Sequence, residues 1–107
     1  MADGTVTIRQ GDMRPIYGGV RAATGQTVRL TSAPQWTLED ASGATVQSGP
    51  VTGYTMGSLA EVEAWATVSA ASLNPGFYRL TFEFNLMGSD GIARVMHPVV
   101  TVIVECA

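Results

Sequence analysis

Ten residues constrain the fold more than any others. From Phe77 to Leu86 the chain alternates strictly, with Tyr78, Leu80, Phe82, Phe84 and Leu86 on one side and Arg79, Thr81, Glu83 and Asn85 on the other. A period of two over this length makes a strand with one buried face and fits a helix poorly. Leu73-Asn74-Pro75-Gly76 stands just before it. That is a turn: proline fixes φ, and glycine adds backbone freedom without a steric cost. Burial of each large side chain in the row contributes roughly 1.5–3 kcal/mol. One strand cannot bury its own row, so the rest of the chain must supply a second apolar layer.

The composition agrees with such a core. Of 107 residues, 46% are hydrophobic and 14% charged, the reverse of a disordered chain. The length suits one domain spanning residues 1–107. The net charge of −3 argues against a nucleic-acid partner, which would call for a basic stripe. All six cations are arginine, whose planar fork suits contacts with other proteins. Cys106 is the sole cysteine, so neither an intrachain disulfide nor a thiolate metal cluster can form. The one cysteine fits a reducing compartment. No apolar run approaches the ~18 residues of a membrane span, and Met1-Ala2-Asp3-Gly4 lacks the basic and apolar parts of an export signal. Synthesis and folding in a cytoplasm are expected, with no membrane partner.

The remaining segments also read as strands. Thr5–Gln10 alternates around Val6 and Ile8. Met13–Tyr17 carries Pro15 and suits an edge strand or a kinked continuation; Gly18-Gly19 then permits a bend before Val20–Ala22. Gln26–Thr31 places Val28 and Leu30 inward, and Gln35–Asp40 does the same with Trp36 and Leu38. Asp40-Ala41-Ser42-Gly43 is a hairpin turn leading to a short strand, Thr45–Ser48, which Gly49-Pro50 ends. Val51–Gly57 reads as irregular. Ser58–Ser69 fits two patterns. Ser58 with Glu61 resembles a capping box, and Leu59, Val62 and Trp65 share a helical face. The same stretch also alternates, with Val62, Ala64, Ala66 and Val68 inward and Trp65 outward. Strand is preferred because every neighbour is a strand. After the loop Met87–Gly91, Ile92–Glu105 reads as one strand bent at Pro98. Its end is apolar on both faces, with Val100, Val102 and Val104 against Val99 and Ile103. Such a strand is covered on both sides or meets a partner.

Catalytic chemistry has little to work with. His97 is the only histidine and adjoins a proline, so a serine–histidine–aspartate relay would rest on it alone. Glu61 and Glu63 share a strand face, the signature of a solvated surface more often than of an acid–base pair. The two Asp-Gly turns lack the ligand density of a calcium loop. No phosphate loop is present. The expectation is a non-enzymatic protein with no cofactor and no metal. Among the aromatic residues Trp36, Tyr78, Phe82 and Phe84 belong to the core. Tyr17, Tyr54, Trp65 and Phe77 are open to subunit contact, to a sugar platform or to local packing.

Seven or so short strands separated by turns imply a two-sheet β-sandwich. An inward tryptophan in an early strand and a tyrosine two residues after Pro-Gly resemble immunoglobulin-like folds, in which such a tyrosine bonds back to the backbone. Tyr78 would be that residue. The inter-sheet cysteines of antibody domains are missing. Thr7–Pro15, Trp36–Gly43, Ala64–Ala66, Leu73–Phe84 and the valine-rich close resemble small immunoglobulin-like proteins and domains of tailed bacteriophages. The N-terminal domain of the baseplate upper protein belongs to that group. The resemblance implies a structural part of the virion, docking on capsid, tail or baseplate proteins, with capsid decoration slightly ahead of neck or baseplate attachment. A homo-oligomer is compatible, and a bacterial adhesion or carbohydrate-binding module is the alternative. The candidate contacts are Arg9, Arg14, Ile16 and Tyr17 near the start, Trp65 and Phe77, and Val99 and Ile103 near the end. Trp36, Pro75, Gly76, Tyr78, Leu80, Phe82 and Phe84 define the fold.

Overall fold

The computed structural model describes residues 4–106. The alternating row becomes the central strand, and every inward residue expected of it is buried: Tyr78, Leu80, Phe82, Phe84 and Leu86. The ten strands in chain order are β1 (Gly4–Arg9), β2 (Met13–Arg21), β3 (Val28–Leu30), β4 (Gln35–Glu39), β5 (Thr45–Pro50), β6 (Gly53–Tyr54), β7 (Glu61–Ser69), β8 (Gly76–Gly88), β9 (Ala93–Met96) and β10 (Val99–Glu105). Among the described residues there is no helix.

The strands form an immunoglobulin-like sandwich of two sheets. The larger has the order β1-β10-β8-β4-β5, with β3 and β9 added to β8; the smaller is β2-β7-β6. β1 runs parallel to β10, and the other pairings are antiparallel. Seven strands make the body. The structure exceeds that number because β6 is only two residues long and because β8 outruns the sandwich. Its first part pairs with β10 on one edge and β4 on the other; its last residues pair with β9 and β3. The molecule is therefore elongated, 46 × 21 × 20 Å.

Large residues of one sheet meet small ones of the other. Phe82 and Phe84 pack edge to face, with centroids 5.9 Å apart. Opposite them the smaller sheet offers Gly18 paired with Ala64 and Ile16 paired with Ala66. A Cβ at Gly18 would lie 2.6 Å from the Phe82 ring. Gly18 therefore makes room and does not bend the chain: β2 runs unbroken through Gly18-Gly19, where a bend was expected. Two further corrections concern extent. β5 continues through Gly49-Pro50 at the sheet edge, where proline's missing donor is tolerated. Ile92–Glu105 is not one bent strand but two, split at His97-Pro98, though Pro98 still accepts a hydrogen bond from Phe82 N at 2.9 Å. Val51–Gly57 is not wholly irregular, since Gly53-Tyr54 pairs with Trp65 and Ala64. The ambiguous segment is strand: Val62, Ala64, Ala66 and Val68 are all completely buried, which no helical face could achieve against two flat sheets.

The corner forms as the sequence implies. Tyr78 donates its hydroxyl hydrogen to Asn74 O at 2.7 Å, tying the Pro75-Gly76 turn to the strand it starts. Gly76 has φ of 151°, a region kept almost entirely for glycine. Trp36 is buried, and its indole nitrogen donates to Pro50 O at 2.9 Å. Tyr78→Phe removes one partly buried hydrogen bond; the expected loss is about 1 kcal/mol in urea unfolding. Gly18→Ala must displace a fully buried ring, so a larger loss of about 1–3 kcal/mol is expected in the same assay.

Candidate partner-binding surface

The outer face of the smaller sheet is built in cross-strand rows. Tyr17 on β2 stands opposite Trp65 on β7, and Trp65 stands opposite Gly53 on β6. The Tyr17 and Trp65 rings lie 5.6 Å apart, tilted by 39°. A side chain at position 53 would collide with the indole, so glycine lets the Trp65 ring lie over the neighbouring strand. Tyr17 is 55% exposed, Trp65 is half-buried, and Met13 at the end of the same face is 66% exposed. Polar groups flank the rings. Thr52 and Thr67 share a hydroxyl hydrogen bond of 2.7 Å. Glu63 N donates to Thr55 Oγ1 at 3.2 Å, and Arg21 stands 3.7 Å from Glu61. This face is apolar at its middle and polar at its margins, the anatomy of a docking surface.

The other candidates separate. Ile16 is a correction: at 1% exposure it is a core residue and meets no partner. Its β2 neighbours Pro15 and Tyr17 point outward, and the period of two sends Ile16 inward. Arg14 is exposed, and its Nη1 donates to Thr7 O at 2.9 Å, bridging β2 to β1. Phe77 is 63% exposed on the larger sheet, directly opposite half-buried Ile103. Val99, opposite Thr81, and exposed Arg9, opposite Glu105, lie on the same sheet. The candidates near the start therefore divide: Arg9 shares the larger sheet with Phe77, Val99 and Ile103, whereas Tyr17 lies on the smaller sheet. Tyr17 and Trp65 form one surface, and Phe77 with Ile103 forms a smaller one on the opposite sheet. Tyr54 is half-buried against the core.

His97 is exposed, with Nε2 3.7 Å from Glu83 Oε2. The pair lies in a shallow groove with Gln35, Thr37, Glu39 and Thr81. Among the described residues no three histidine, cysteine or carboxylate side chains gather to hold a metal ion.

One group of exposed residues escapes a reading of the sequence by segments. Ile92, Val95 and Met96 are 54%, 53% and 44% exposed, on and beside β9. They sit inside what reads as the first half of a longer strand. The available signal was Pro98, which separates them from β10. The β8–β9 hairpin is braced by Asp90 and Arg94: Arg94 Nη2 lies 2.7 Å from Asp90 Oδ2, and Ile92 N donates to Asp90 Oδ1 at 3.0 Å.

No family model matches the chain, and none of the curated proteins compared with it does. Solved structures do resemble it. CopC from Methylosinus trichosporium OB3b aligns with a TM-score of 0.43 and 17% identity over 96% of this chain and 87% of that one. A family 123 glycoside hydrolase from Clostridium perfringens aligns with a TM-score of 0.50 and 12% identity, over 96% of this chain and 23% of the hydrolase. At such identity the likeness is one of fold alone.

The hairpin brace yields a pH prediction. The side-chain hydrogen bond from Arg94, then the backbone donor Ile92 N, hold the Asp90 carboxyl down to about 2 from its ordinary 3.8. A depressed carboxylate stabilises the hairpin above its ordinary value, and that contribution is lost as pH falls through about 2. An NMR titration of Asp90 should show that low midpoint, and Arg94→Gln should return it toward 3.8.

Proposed function

We propose that the protein is a non-catalytic docking module of a tailed-phage virion. It attaches to other virion proteins through the outer face of its smaller sheet. Capsid decoration stands ahead of neck or baseplate attachment. The observation that carries the docking role is the exposed Met13–Tyr17–Trp65 stripe. Tyrosine and tryptophan are the residues most often found as binding anchors, because they bury much area at little entropic cost. The phage assignment rests on the sequence resemblance from Thr7 to the valine-rich close. An all-β module of this size with flat faces is suited to attachment more than to turnover.

A carbohydrate-binding or adhesion role is the second reading. It is favoured by one feature, the Trp65 indole lying over Gly53 with the carboxylate of Glu63, which has no ion-pair partner among the described residues, on the next outward row of β7. A flat ring beside hydrogen-bonding groups can also receive a sugar.

Purified particles should contain the protein at a fixed ratio to the major structural proteins. Tyr17→Ala and Trp65→Ala should each weaken binding to particles by about 2 kcal/mol, roughly thirtyfold in Kd. Tyr17→Ala is the cleaner variant, since Trp65 also covers Gly53. Particles lacking the protein, with all of it free in the lysate, would refute the virion reading. Glycan-array binding that disappears in Trp65→Ala would replace it with the second.

A further inference from the structure

We propose that the free edge of β9 is a self-association site, where a second copy of this chain adds its own β9 about a two-fold axis. The inference is independent of the virion reading.

Every other sheet edge in the molecule carries a device that blocks strand addition. At β1, Arg14 caps the carbonyl of Thr7. β2 carries Pro15, which has no donor. β5 ends in Pro50, and its Gln47 is turned back to Ser69 O. β6 is two residues long. The outer side of β3 is closed by Leu59, which exchanges two backbone hydrogen bonds of 2.9 Å with Val28. Among the described residues β9 has neither a proline nor a side chain laid across its outer side, because its one charge, Arg94, is turned back into the hairpin to Asp90 and Ile92 O. Among the described residues it pairs with β8 alone, and all four of its residues are exposed. An unblocked apolar edge is a template for another strand.

The occupant follows from charge and register. The one charge on β9, Arg94, is already matched by Asp90 within the hairpin, so the edge presents no net charge. That makes it a poor fit for a strongly charged partner segment and compatible with its own copy. Antiparallel pairing about a two-fold axis normal to the sheet opposes residues that share a face. Only registers centred on Arg94 or on Val95 keep most of the strand paired. The first sets Arg94 against Arg94 of the other copy, and like charges directly opposite are destabilising. The second sets Val95 against Val95, Arg94 against Met96 and Ala93 against His97. In it each Arg94 stem lies along a methionine while its guanidinium stays with Asp90. The same arrangement narrows the apolar groove of about 280 Å³ between Val20, Val28, Leu86 and Met96. The contact is isologous and closes on itself, so it yields a dimer and not a fibre.

Sedimentation of the wild-type protein over a concentration series should show a monomer–dimer equilibrium. Val95→Lys and Val95→Glu each place like charges on the axis and should sediment as monomers with unchanged circular dichroism. Mixing the two should restore a dimer containing one copy of each, a result that also shows both variants are folded. A wild-type protein that stays monomeric throughout, including one that binds only a foreign extended peptide at this edge, would overturn the proposal. So would a dimer that survives Val95→Lys but is lost in Tyr17→Glu, which would place the contact on the other sheet.

Discussion

Phe82 resting in the notch over Gly18 is the contact on which the sandwich depends. The ring belongs to β8, which pairs with four other strands along its two edges, and the notch belongs to the opposing sheet. One methyl group in the notch would lie 2.6 Å from the ring, so the ring or a strand would have to shift. Around it the small sheet offers Ala64 and Ala66, and the large sheet Leu80, Phe82 and Phe84. This division of volumes fixes which sheet faces which, since interiors pack to crystal-like density and tolerate neither void nor overlap.

The fold was legible because its central element is long and alternates without error. Ten residues of strict period two leave no helical alternative, and the Pro-Gly turn with Tyr78 two residues on names the corner. Other elements were less legible for identifiable reasons. Gly18-Gly19 has the composition of a bend, but Gly18 answers a steric demand from Phe82, more than sixty positions away. Val51–Gly57 has no pattern because β6 is only two residues long and is held by backbone bonds to β7 and by Val51 and Tyr54 against the core. At Ser58–Ser69 the two periodicities coexist in the sequence, and only the demand for a second apolar layer separates them.

The surface was legible one residue at a time but not as an assembly. Trp65 reads as outward and Tyr17 as a candidate contact, yet nothing local to either says that they stand opposite one another; register sets that, and register is a property of the whole sheet. Ile16 shows the converse. Apolar residues near a chain end resemble a contact surface until the parity of the strand is known, and a shift of one position exchanges core for solvent. The β9 edge was hidden because Pro98, the mark of the break in pairing, reads equally well as a bend within one strand.

The two surfaces lie on different sheets, so occupation of one leaves the other free. This has an energetic consequence. The proposed Met13–Tyr17–Trp65 face rests on three side chains, and a face with so few anchors would hold a partner weakly. A dimer joined at β9 would carry two such faces in fixed relation. Once the first is bound, the second meets its site at the effective concentration set by that rigid spacing, and avidity can exceed the single-site affinity by about 10²–10⁴ where the spacing fits. On a repeating array of identical sites a weak aromatic stripe is then enough for stable attachment, whereas on an isolated partner the same stripe binds only transiently. In the proposed array-bound role a modest docking face and an unblocked edge would each make the other effective within one small domain.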